Sequence, residues 1–118
     1  MPLLSCILFY SHLHGVDPKV TQAVIRVESN WNARAIGPVG EVGLMQVRPE
    51  HVRETALQLK DPCTNVRVGT SILRKAMEKC KHKSNLTWLN CYNLGLRGGS
   101  RLKHPKIYPY YLKIVSNL

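Results

Sequence analysis

The stretch NVRVGTSILRKAMEKC, residues 65–80, decides how the chain is read. Val68, Gly69, Ile72, Leu73, Ala76, Met77 and Cys80 recur at three- and four-residue intervals, while Arg67, Arg74, Lys75, Glu78 and Lys79 fall on the other face. That spacing predicts an amphipathic core helix from Asn65 to about Lys81, with Asp61-Pro62 as its start signal. Upstream, Asp17-Pro18 starts another helix, with Asp17 as cap and Pro18 where its missing N–H costs nothing. Its apolar face is Val20, Ala23, Val24 and Val27, and it should end near Asn30.

The same period extends over most of the chain, and no stretch alternates long enough to demand a central strand. The apolar first residues, Met1 to Tyr10, lack a basic leader and run into His12 and His14, so they read as a first helix and not as an intact signal peptide. His14-Gly15-Val16 breaks the pattern. A loop from Asn32 to Val42 contains Gly37-Pro38 and Gly40, and a short apolar segment, Gly43 to Val47, follows. Pro49 is expected to open a helix through about Leu59. Ser84 or Asn85 caps the next, which carries Leu86, Trp88, Leu89 and Cys91 and stops at Gly95. Asn85-Leu86-Thr87 fits an N-glycosylation acceptor but is most simply this helix start. A basic loop, Leu96 to Lys106, precedes a closing helix from about Pro109 to Ser116. The expected fold is all-α, one domain over residues 1–118.

Composition bounds the function. With 44% of residues apolar and 20% charged, the 118-residue chain is globular, and it has no room for a separate cofactor domain. No run of about 18 apolar residues is present, which excludes a membrane-spanning helix. A net charge of +10 favours polyanionic partners, yet the basic residues are spread along the chain and no nucleic-acid motif accompanies them. Nucleic acid is therefore not the expected partner. Cys6, Cys63, Cys80 and Cys91 form no CxxC pair and no zinc-type spacing, so no metal site is expected. Their even number permits two disulfides in three pairings, although Cys80 and Cys91 lie in apolar stretches where buried thiols would serve equally.

Among the seven acids, Glu28 is out of place. It borders the apolar face of its helix and lies in the last turn, where the helix dipole disfavours a carboxylate. Both effects push its carboxyl toward the neutral acid, the state a proton donor to a glycosidic oxygen requires. Periodicity alone equally allows a rim glutamate paired with Arg26, Arg34 or another base. Asp17 and Asp61 are explained as helix starts, Glu50 and Glu54 by positions in or near the first turns of a helix, and Glu78 by a charged face. Glu41 has no such explanation.

Four ordered motifs carry a resemblance: Glu28-Ser29-Asn30-Trp31-Asn32, Gly43-Leu44-Met45-Gln46, Asn65-Val66-Arg67-Val68-Gly69 and Tyr92-Asn93-Leu94-Gly95. Over about residues 12 to 116 the chain resembles the lytic transglycosylase domain of the soluble type, a lysozyme-like helical fold. The resemblance implies that Glu28 is the catalytic acid and base and that Ser29 supports the local turn or the substrate. It places Met45 and Gln46 along the cleft, has Tyr92 and Asn93 close the site, and matches Tyr111 to the family's C-terminal tyrosine, although Tyr108 and Tyr110 adjoin it. The chain departs from the family pattern at Gly37, Glu41, Arg48 and Cys91, and none of these removes a catalytic group.

The activity so implied is cleavage of the bond between N-acetylmuramic acid and N-acetylglucosamine with closure of a 1,6-anhydro ring, without metal or cofactor. The expected setting is a monomer in the periplasm or outside the cell, acting on peptidoglycan glycan strands. Wall remodelling, a secretion or conjugation apparatus and a phage assembly all stay open. A muramidase using Glu28 with Glu41 or a positioned water, and a non-catalytic wall-binding module, are the alternatives.

Overall fold

The computed structural model describes residues 1–80, 88–94 and 109–118, the side chains of 93, 94, 109 and 111 excepted. The described residues are mainly helical, as predicted, with six α-helices and one 3-10 turn. Helix α1 spans Leu3–Leu13, α2 Pro18–Ser29, α3 Ala56–Leu59, α4 Pro62–Lys79, α5 Leu89–Leu94 and α6 Pro109–Val115. None of the helices described is long and apolar enough to cross a membrane.

Helix starts follow local chemistry. Asp17 accepts from the Lys19 N–H at 2.9 Å, and Asp61 accepts from the Thr64 N–H at 2.9 Å, each relieving an orphan donor of a helix that opens with proline. At the other end of α2, Asn30 takes the left-handed conformation that terminates the helix (φ 49°).

The expected helix from Pro49 to Leu59 is corrected. Pro49–His51 makes only a 3-10 turn, because Val52 is extended (φ −135°, ψ 173°). Helix α3 then begins afresh behind Thr55, whose hydroxyl and N–H exchange hydrogen bonds with Gln58 in a capping box. Glu54 stands just before the Thr55 cap, outside the helix itself, and pairs with Arg67 of α4 at 3.0 Å.

Helix α4 is the hub, packing against α1, α3 and α5, while α6 closes over α2 and α5. Val66, Leu73 and Ala76 of α4, Val24 and Ile25 of α2, Leu89 of α5 and Ile114 of α6 share one buried core. Two disulfides staple the bundle. Cys6–Cys63 joins α1 to the first turn of α4, and Cys80–Cys91 joins the end of α4 to α5. The disulfide reading of the cysteines therefore holds over buried thiols.

Between α2 and the 3-10 turn the chain folds back on itself. Val42 and Val47 exchange both backbone hydrogen bonds, at 2.9 and 3.0 Å, and Val42 also bridges to Ile36. The intervening Gly43, Leu44 and Met45 are buried, so this turn is part of the core and not a surface loop. The predicted cap at Ser84 or Asn85, the Asn85-Leu86-Thr87 sequence, the stop at Gly95 and the basic loop from Leu96 to Lys106 lie outside the described residues.

Candidate active site

Asn65 holds the buried turn in place. Its side chain is fully buried in α4, accepts from the Met45 N–H at 2.8 Å and donates to the Val42 and Leu59 carbonyls, each at 2.8 Å. The amide thereby satisfies three backbone groups that burial would otherwise leave unpaired. Two glycines allow this close approach. Gly43 has φ +82°, and a Cβ there would lie 2.5 Å from the Leu59 carbonyl oxygen and against the Asn65 amide. On α4, a Cβ at Gly69 would lie 2.8 Å from Met45 Cβ and 2.9 Å from its Cε. The apolar run Gly43 to Val47 is thus seated in a slot cut into α4.

A cleft of about 830 Å³ opens beside this turn. Tyr10, Leu13 and His14 line it at the end of α1, Glu28 from α2, and Glu41, Gln46, Val47 and Arg48 from the turn. Residues 51–54, the Arg67, Val68, Ser71, Ile72 and Lys75 face of α4, and Cys91 and Tyr92 of α5 complete the walls. Glu28 sits half-buried in the last turn of α2. Gln46 is held in a left-handed conformation (φ 52°), with its amide donating to the Gly43 carbonyl at 3.0 Å and the Ala35 carbonyl at 3.2 Å.

Tyr92 connects these parts. Its hydroxyl donates to the Met45 carbonyl at 2.5 Å, and its ring stacks on Tyr110 of α6, centroids 6.5 Å apart. Burial, and secondarily the charge of Glu28, push the phenol well above its ordinary value of 10.0. Tyr92 therefore keeps its proton and acts as a donor, within the electrostatic reach of Glu28.

Of the residues singled out in the sequence, Glu28, Gln46 and Tyr92 meet in the cleft. Met45 does not line it. The side chain is fully buried against Gly69, and the residue reaches the site only through its backbone carbonyl. Ser29 donates back to the Ile25 carbonyl at 3.0 Å and so braces the end of α2. Asn93 and Tyr111 lie on α5 and α6, with side chains outside those described. Glu41 does reach the cleft, and its Oε1 accepts from the Val39 N–H at 2.9 Å.

Asn65 and Tyr110 were not identified in the sequence as site residues. The signal for Asn65 was a polar side chain on the apolar face of its helix, one turn before Val68 and Gly69. Nothing in the sequence separates Tyr110 from Tyr108 and Tyr111.

Known proteins resemble this chain in sequence. The sequence model of the transglycosylase SLT domain matches residues 5–106. A peptidoglycan-binding-like protein of Escherichia coli O157:H7 is 28% identical over 84% of this chain and 71% of its own length. The soluble lytic murein transglycosylase of Escherichia coli K12 is 35% identical over 62% of this chain, and the transglycosylase of Enterobacteria phage PRD1 is 30% identical over 56%. The matched segments span only 13% and 25% of those two proteins. With most of its length matched by the domain model, the chain belongs to the transglycosylase SLT domain family.

Proposed function

We propose that the chain is a peptidoglycan lytic transglycosylase in which Glu28 serves as both acid and base. The observation that carries this reading is the meeting of Glu28, Gln46 and Tyr92 in one cleft of a family member. The protonated carboxyl of Glu28 gives its proton to the oxygen linking N-acetylmuramic acid to N-acetylglucosamine, and the C1–O bond breaks. The acetamido group of the substrate stabilises the cationic C1. Glu28, now a carboxylate, takes the C6 hydroxyl proton as O6 bonds to C1, closing the 1,6-anhydro ring and restoring the acid. One residue that changes role within a turnover needs a pKa between those of a strong acid and a strong base.

Two disulfides suit an oxidising location, so the cell envelope, periplasmic or extracellular, is the proposed site of action. The likeness to a phage transglycosylase keeps a phage setting among the proposed ones. Glu41 supports a second reading, since it brings another carboxylate to the cleft of Glu28. In a muramidase it would take a proton from water attacking C1, leaving a reducing end.

Mass spectrometry of digested sacculi separates these readings. Anhydromuramyl ends are expected from the wild type, and none above background from Glu28→Gln. Reducing ends that disappear in Glu41→Gln would instead establish the hydrolase. Equal release by wild type and Glu28→Gln would leave only a wall-binding module.

A further inference from the structure

Helix α1 buries Cys6 and Ile7 against the bundle, yet the face it turns to solvent is apolar as well. Leu4, Leu8, Phe9 and Leu13 are 59, 48, 52 and 61% exposed. Leu4 and Leu8 stand one turn apart, as do Phe9 and Leu13, so the four side chains form two adjoining rows of one strip. Among polar residues of the helix, only Ser5 and His12 are exposed beside them. No Asp, Glu, Lys or Arg occurs before Asp17. A helix that faces water on one side ordinarily carries polar side chains there, and a contiguous exposed apolar strip marks a contact surface.

We infer that the outward face of α1 docks on the surface of an anionic phospholipid bilayer. With 11 residues the helix is about 16 Å long, so it lies along the bilayer without crossing it. Charge selects this occupant. A chain of net charge +10 with no acid on α1 is drawn to an anionic surface, whereas pairing two copies through α1 would bring +10 against +10. Cations also stand at the end of the strip: a Cβ at Gly15 would lie 3.1 Å from the Arg74 guanidinium, and the exposed Lys75 lines the cleft together with Leu13. A protein partner is recognised through a polar rim and several hydrogen bonds, for which this face offers only Ser5 and His12. A bilayer requires none. Because Leu13 belongs both to the strip and to the cleft lining, the cleft opens at the edge of the docked face.

The test is flotation with two kinds of vesicle, phosphatidylcholine alone and phosphatidylcholine mixed with phosphatidylglycerol. The wild type is compared with Leu4→Gln/Leu8→Gln/Phe9→Gln and with Leu57→Gln, which alters an equally exposed leucine on α3. Gln retains helix propensity, and unchanged urea midpoints establish that the fold is kept. Should the triple variant be less stable, Leu4→Gln/Leu8→Gln serves in its place, since it leaves the edge contact between the Phe9 and Tyr10 rings. The wild type should partition onto the mixed vesicles about tenfold or more above the neutral ones. The α1 variant should lose about tenfold or more of that binding, and Leu57→Gln none of it. Absence of wild-type binding to the mixed vesicles overturns the inference, as does equal binding by the α1 variant. Binding that salt abolishes and the apolar replacements leave unchanged is net charge alone and overturns it too. So do a dimer in sedimentation that only the α1 variant dissolves, which makes the strip a contact between copies, and a loss of binding to lipid-free sacculi in that variant, which makes it a contact with the wall.

Discussion

The hydroxyl of Tyr92 donates to the backbone carbonyl of Met45 at 2.5 Å, across 47 residues of sequence. This bond ties α5 to the turn that carries Gln46, and the neighbouring Glu28 charge helps keep the phenol protonated. Replacing Tyr92 with Phe preserves the stack on Tyr110 but leaves the carbonyl of buried Met45 without this donor. A loss of about 1–2 kcal/mol in unfolding free energy is expected from urea titration. Release of anhydro ends should fall by about tenfold or more in the folded variant, because the turn and α5 are no longer held in register. Full activity in Tyr92→Phe would show that the hydroxyl is structural alone.

Asn65 gives a sharper stability prediction. Asn65→Asp has nearly the same shape but loses both donors, and its carboxylate would face the Val42 and Leu59 carbonyls in a fully buried site. The expected cost is about 3 kcal/mol or more, read as a lowered urea midpoint. A variant as stable as the wild type would mean that the amide does not organise the turn.

The same residue shows where sequence reading stopped. The long helices were legible because Asp17-Pro18 and Asp61-Pro62 mark their starts and an apolar face runs through each. Residues 49–59 misled, since Pro49 permits a helix but Thr55 and Gln58 form a better cap six residues later. In the site, Glu28, Gln46 and Tyr92 were legible from motifs. Met45 was not placed correctly, because only the packing shows that a motif residue reaches the cleft through its carbonyl while its side chain fills the slot over Gly69. Tyr110 depends on the rotation of α6, which three nearby tyrosines leave undetermined in the sequence.

Acid should loosen the fold in a defined direction. Hydrogen bonds from the Thr64 N–H and hydroxyl hold Asp61 below its ordinary 3.8, and the Arg67 contact holds Glu54 below 4.5. Both carboxylates are more acidic in the folded chain, so their contribution is complete above those ordinary values and disappears as the pH falls through the lowered ones. The melting temperature should therefore drop between about pH 5 and about pH 2. Asn also caps helices but does not titrate, so Asp61→Asn should flatten the drop without removing it. An identical pH profile in the variant would exclude Asp61 as a source. The Glu54–Arg67 pair is partly solvent-exposed, and its share should shrink further in high salt.

The disulfides separate stability from activity. Cys6–Cys63 closes a sequence separation of 57 and Cys80–Cys91 one of 11, so chain entropy assigns about 4 and about 3 kcal/mol to them, respectively. Urea titration of Cys6→Ala/Cys63→Ala should show the larger loss. The smaller loop, however, secures α5, which carries Tyr92, and Cys91 itself lines the cleft. Cys80→Ala/Cys91→Ala should thus lose more activity per unit of lost stability, measured as anhydro-end release under conditions where both variants are folded. The opposite order of activities would place the functional weight on the packing of α1 against α4, and not on the anchorage of α5 beside Glu28.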